Sequence, residues 1–209
     1  MTTTNSQSTT EPTSRSSAKS WRVVDIVVAA VLGVAVGIIF VGWNYVGGAG
    51  YEVFTAVTPG LGGLAVGIWL MGGVLGGLVI RKPGAALMVE LIAAIVSALV
   101  GNVWGITTLY SGIAQGLGAE LVFLLFAYRR WGAVPAMLAG AGAGVGAWLL
   151  ELVMGNLAKG ATYNAIYLVA LLISGAVLAG LVGWALTKAL AGTGALSRFE
   201  SGRSARAEV

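Results

Sequence analysis

The feature that most constrains this chain is a series of apolar runs, each about as long as a lipid bilayer is thick, with nearly every Lys and Arg in the gaps between them or in the tails. A helix rises about 1.5 Å per residue, so about 20 apolar residues cross a hydrocarbon core of ~30 Å. Six runs fit that ruler, at about residues 23–43, 61–80, 85–100, 106–128, 134–154 and 163–190. The third is the shortest. The stretch 44–59 reads as a polar, glycine-rich external loop carrying Glu52. Only 10% of the 209 residues are charged, too few to cover a water-soluble surface of this size. The expected fold class is therefore an all-α membrane protein, a six-helix transmembrane bundle in the cell membrane.

The ends differ sharply from the middle. Residues 1–20 are almost all Thr, Ser, Asn, Gln, Glu, Pro, Arg and Lys, and residues 196–209 are similarly polar. Such segments bury too little apolar surface to offset the entropy of ordering, so both are expected to be disordered tails. Residues 21–195 form one membrane domain. With both termini in the cytoplasm, the inside segments hold Arg15, Lys19, Arg22, Arg81, Lys82, Arg129, Arg130, Lys188, Arg198, Arg203 and Arg206, and the outside segments hold only Lys159. That asymmetry follows the positive-inside rule and requires an even number of crossings. It also explains a pI near 9.6 without a nucleic-acid partner.

Several chemistries are excluded outright. With no Cys and no His, the chain has no disulfide, no thiolate or imidazole metal site, and no Ser-His or Cys-His nucleophile. No G-x-x-x-x-G-K-[ST] loop exists to hydrolyse ATP, and no paired Asp-rich motif exists to hold Mg²⁺ for a membrane enzyme. No cofactor and no metal are expected, and a binding protein without an ATPase of its own should rely on partners.

Carboxylates within hydrocarbon are costly and normally face a cavity or a partner. Glu90, Glu120 and Glu151 fall inside the runs, whereas Asp25 sits at a membrane edge, where it suits a local pair with Arg22. Gln115 lies about one and a half turns from Glu120. Asn102, Trp104, Tyr163 and Tyr167 gather toward the outer half, and Trp69 falls near mid-membrane. Each of these also suits a structural link between helices or the aromatic belt of an interface. Taken together, carboxylates attract a cation, indole and phenol faces stack a flat ring, and amides pair with a heterocycle edge. The expected ligand is a small, flat, cationic or amino-bearing molecule bound from outside. An alternative is a solitary proton-coupled transporter using Glu90 and Glu120 as proton carriers. In the first run Ala29, Gly33 and Gly37 recur every four residues, a stripe suited to close helix contact within the bundle or with another membrane protein.

Certain blocks point further. These are Trp21-Arg22-Val23-Val24-Asp25-Ile26, Gly67-Ile68-Trp69, Arg81-Lys82-Pro83-Gly84-Ala85-Ala86 with Glu90, Gly101-Asn102-Val103-Trp104-Gly105, and Gln115-Gly116-Leu117-Gly118-Ala119-Glu120-Leu121. In these blocks the chain resembles the substrate-binding S components of energy-coupling-factor (ECF) transporters, of the YkoE type, over about residues 21–190. The resemblance implies a six-helix subunit that captures thiamine or its hydroxymethylpyrimidine precursor and works with a transmembrane T component and two ATPases. It places the ligand site in the outer half, where the polar and aromatic residues gather, and the binding residues expected there are Trp69, Glu90, Asn102, Trp104, Gln115, Glu120, Glu151, Tyr163 and Tyr167. Trp104 and Tyr163 would stack on rings, a carboxylate would face the cation, and Gln115 or Asn102 would pair with the pyrimidine. It also implies a T-component contact at Ala29, Gly33 and Gly37, although the usual motif has Ala where this chain has Gly.

Overall fold

The computed structural model describes residues 20–194 together with Leu196 and Ser201. The expected tails lie almost wholly outside the described residues, as do Arg15, Lys19, Arg198, Arg203 and Arg206. Among the described residues every regular element is helical. Helix α1 (Val23–Val57) is followed by a 3₁₀ helix (Leu61–Leu70) running directly into α2 (Met71–Ile80), then by α3 (Ala85–Val100), α4 (Thr107–Leu125) and α5 (Ala133–Met154). A short 3₁₀ turn (Asn156–Lys159) leads to α6 (Ala161–Ser174), which passes through a π-helical segment (Gly175–Leu181) into α7 (Val182–Gly192).

Five of these stretches are long and apolar enough to cross a membrane: Val23–Val57, Leu61–Ile80, Thr107–Leu125, Ala133–Met154 and Ala161–Gly192. The run Ala85–Val100 has 16 residues, and at about 1.5 Å per residue it falls short of a full ~30 Å crossing. Residues 44–57, expected as a loop, instead continue α1, which reaches 35 residues. Nothing in that stretch stops a helix until Pro59, and Thr58 takes an extended conformation just before it.

The start of α1 is tied to the α2–α3 connection. Asp25 is buried and accepts from the Arg22 backbone N–H at 2.8 Å, a capping arrangement at the first turn. It pairs with the Arg22 guanidinium at 3.2 Å, as expected, and also with Lys82 Nζ at 2.5 Å. Lys82 Nζ further donates to the Ser20 carbonyl at 2.5 Å, and Trp21 Nε1 donates to the Pro83 carbonyl at 2.9 Å. Two helices are thus locked at one end of the bundle by charge and by backbone acceptors.

Close backbone approach holds the rest. The stripe of Ala29, Gly33 and Gly37 does not form an open docking face. All three residues are buried, and a Cβ at Gly33 or Gly37 would come within 2.6 Å of Ile92 or Val96. The stripe is occupied by α3, because without side chains at these positions the two backbones meet where lipid would otherwise intrude. On α5, Ala136, Ala139, Gly140, Ala143, Gly144 and Ala147 repeat at three- and four-residue spacing and are all buried. Gly140 meets the π segment so closely that a Cβ there would run into the Gly175 carbonyl. Leu70, Val74, Leu78, Phe123, Tyr167 and Leu171 fill the centre.

Candidate ligand cavity

A cavity of about 630 Å³ opens at the end of the bundle opposite the Asp25–Lys82 lock. It is built where the C-terminal halves of α1 and α5 and the middle and end of α3 meet the beginnings of α4 and α6. From α1 it takes Phe40, Asn44, Tyr51 and Glu52, and from the 3₁₀ helix Val66 and Trp69. From α3 it takes Glu90, Ala94 and Ser97. Trp104, Thr107, Thr108, Ser111, Gly112 and Gln115 form one stripe leading into α4. Leu150, Glu151 and Met154 of α5, with Asn156 and Tyr167, close the far wall. Its size is that of a pocket for one small organic molecule.

The floor is a buried polar set. Glu90, 1% exposed, places Oε2 2.5 Å from the backbone N of Gly73. That N–H belongs to the first turn of α2, just past the junction with the 3₁₀ helix. With its amide oriented so that nitrogen donates, Gln115 reaches the Trp69 carbonyl at 3.1 Å and Glu90 Oε1 at 3.3 Å. Asn44 joins the wall: its Oδ1 accepts from Trp69 Nε1 at 2.9 Å and its Nδ2 donates to Ser97 Oγ at 3.1 Å. The two indoles, Trp69 and Trp104, meet edge to face with centroids 5.4 Å apart, leaving aromatic faces directed to other neighbours. Trp104 is held on its loop by Asn102, whose Oδ1 accepts from the Trp104 and Gly105 amides at 3.0 and 2.8 Å.

The far wall carries the second polar set. Asn156 Nδ2 donates to Glu151 Oε2 at 3.1 Å. The Tyr163 and Tyr167 rings stack with centroids 5.7 Å apart, and the Tyr51 and Tyr163 hydroxyls lie 3.4 Å apart. Lys159 Nζ sits 4.6 Å from the Tyr163 ring centroid, within the range of a cation–π contact.

Of the nine residues expected at a ligand site, Trp69, Glu90, Trp104, Gln115, Glu151 and Tyr167 line this one cavity. Asn102 and Tyr163 stand one layer behind it, bracing Trp104 and Tyr167. Glu120 is elsewhere. Its carboxylate accepts from the Gly84, Ala86 and Leu87 amides at 2.6, 2.9 and 3.4 Å, capping the start of α3, and from the Tyr128 hydroxyl at 2.6 Å. Burial first, and then the bond to Glu120, push the Tyr128 phenol above its ordinary pKa. The reason for the displacement is that α3 and α4 pack antiparallel: Gly112 meets Ala94 and Gly116 meets Leu87, so Glu120 falls level with the start of α3, below the cavity floor. Asn44, Tyr51 and Glu52 line the cavity although sequence reasoning set them at a span end or in a loop. Their spacing at 44, 51 and 52 would mark one helix face once residues 44–57 are read as helical.

Comparison with known proteins agrees with this architecture. Residues 24–146 match the family described as ABC-type cobalt transport system, permease component. The Bacillus subtilis (strain 168) protein YkoE, provisionally named an HMP/thiamine permease, is 39% identical over 188 residues, covering 88% of this chain and 92% of that protein. A crystal structure of an S component of an ECF transporter superposes with a TM-score of 0.83 at 36% identity, covering 90% of this chain and 95% of the other. A buried polar cavity at one end of a helical membrane bundle, with this degree of likeness along nearly the whole chain, places the protein in the YkoE family of ECF-transporter S components.

Proposed function

We propose that this S component captures thiamine or hydroxymethylpyrimidine from outside the cell and delivers it through an importer driven by two ATPases and a transmembrane T component. The observation that carries the reading is the cavity itself, where indoles, amides and carboxylates surround a space of about 630 Å³. Trp69 and Trp104 offer ring faces, Gln115 a hydrogen-bonding edge, and Glu90 and Glu151 negative charge for a cation or an amino group. In this reading residues 21–195 are the binding domain between cytoplasmic tails 1–20 and 196–209. Counting Ala85–Val100 as a sixth crossing puts both termini inside, and the cavity then faces outward. The chain contributes no catalytic residue and relies on its partners for ATP hydrolysis.

Cobalt, named in the matching family's description, suits this cavity poorly. The chain has no His or Cys, and among the described residues no group of three or more Asp or Glu could hold a metal ion. A proton relay through Glu90 and Glu120 is disfavoured because each is tied to backbone amides of a different helix start. The test is calorimetric titration of the purified protein with thiamine and with hydroxymethylpyrimidine. Binding clearly tighter than micromolar for at least one is expected, whereas micromolar or weaker binding of both would overturn the assignment.

A further inference from the structure

Resting on that reading, we propose that the cavity has two poles, and that Glu151 with Tyr51 and Tyr167 forms a cation subsite distinguishing thiamine from hydroxymethylpyrimidine. The poles come from different helices: Glu90 stands on α3 and Glu151 on α5, and both helices pack on α4 rather than on one another.

The floor pole is already engaged by neutral donors. Glu90 is buried, one carboxylate oxygen is bound to the Gly73 amide, and the other meets the Gln115 amide. What remains there is hydrogen-bonding capacity beside the Trp69 indole, which suits the amino-bearing edge of a neutral pyrimidine.

The wall pole is organised for positive charge. Asn156 orients the Glu151 carboxylate on one side, and Tyr167 lines the same wall of the cavity. The Tyr167 ring is stacked on Tyr163, so its orientation is fixed. Glu52 adds a second carboxylate at the exposed rim, and the residues lining the cavity include no Lys or Arg. The basic group found at this cluster, Lys159, donates to the Tyr163 hydroxyl at 3.3 Å and lies against the outer face of the tyrosine pair, outside the cavity lining. An ammonium is therefore already accommodated by the same aromatic cluster. A two-ring ligand with its pyrimidine on the floor would set its thiazolium against Glu151. Hydroxymethylpyrimidine has no cationic ring and leaves that pole unfilled.

The test measures thiamine and hydroxymethylpyrimidine affinities for the full chain and for Glu151→Gln, which preserves side-chain shape. Removing the negative charge that faces the thiazolium is expected to weaken thiamine about ten- to hundredfold while hydroxymethylpyrimidine changes by less than about threefold. Glu52→Gln, at the exposed rim, is expected to show the same selectivity at about threefold. It decides the matter if Glu151→Gln does not fold. Equal weakening of both ligands, or of neither, would overturn the subsite while leaving the vitamin assignment intact. A wild-type chain binding hydroxymethylpyrimidine but not thiamine would also overturn it. Failure of both ligands to bind the wild type would overturn the functional reading and the subsite together.

Discussion

The two ends of this bundle use the same residue types for opposite purposes. At the end where the described chain enters, Asp25, Lys82 and Glu120 are bound by partners on neighbouring segments. At the other end, Glu90, Gln115, Glu151 and Tyr167 are just as firmly held but are arranged around a cavity. A membrane carboxylate by itself therefore says only that a partner exists. Whether the partner is the protein's own backbone or a ligand depends on whether the surrounding side chains leave a hollow.

Substitutions that separate stability from binding can break or sharpen this contrast. The largest effect is expected for Lys82→Ala, which leaves the buried Asp25 with Arg22 alone and is expected to cost about 3 kcal/mol of stability, read as a lower thermal midpoint in detergent with thiamine affinity unchanged. Next is Glu120→Ala, which strips the acceptor from the first turn of α3 and is expected to cost about 2 kcal/mol, again without a change in affinity. Weaker binding in either variant would mean the two ends are not separate. Trp104→Ala should act the other way. Removing one aromatic wall is expected to weaken thiamine by roughly tenfold, about 1.4 kcal/mol, with the thermal midpoint of the ligand-free protein nearly unchanged because Trp104 is half-exposed. The smallest effect is expected for Tyr128→Phe, which deletes one of several bonds to Glu120 and should cost about 1 kcal/mol or less, measured by the same thermal assay.

The helical runs were legible in sequence because crossing a bilayer imposes a length and a polarity that few other constraints imitate. Three features were not. Gly47, Gly48, Gly50 and Glu52 look like a loop, yet they lie on the last third of α1, since glycine weakens a helix without ending it. Ala29, Gly33 and Gly37 announce a close contact, but a stripe of small residues does not name the helix that fills it, and here that helix is α3. Glu90 and Glu120 look equivalent along the chain. Their roles diverge because Glu90 meets the start of α2 under the cavity, whereas the antiparallel packing of α4 on α3 sets Glu120 level with the start of α3, where the Tyr128 hydroxyl also reaches it. Position along a span predicts depth, not the direction a side chain faces.

The most direct measurement is a paired thiamine titration of Glu90→Gln and Glu120→Gln in the same detergent, with the wild type alongside. The cavity account requires weakening of about tenfold or more for Glu90→Gln and wild-type affinity for Glu120→Gln. Wild-type affinity in the first variant, with the weakening appearing in the second, would place the ligand at the other end of the molecule and contradict the account.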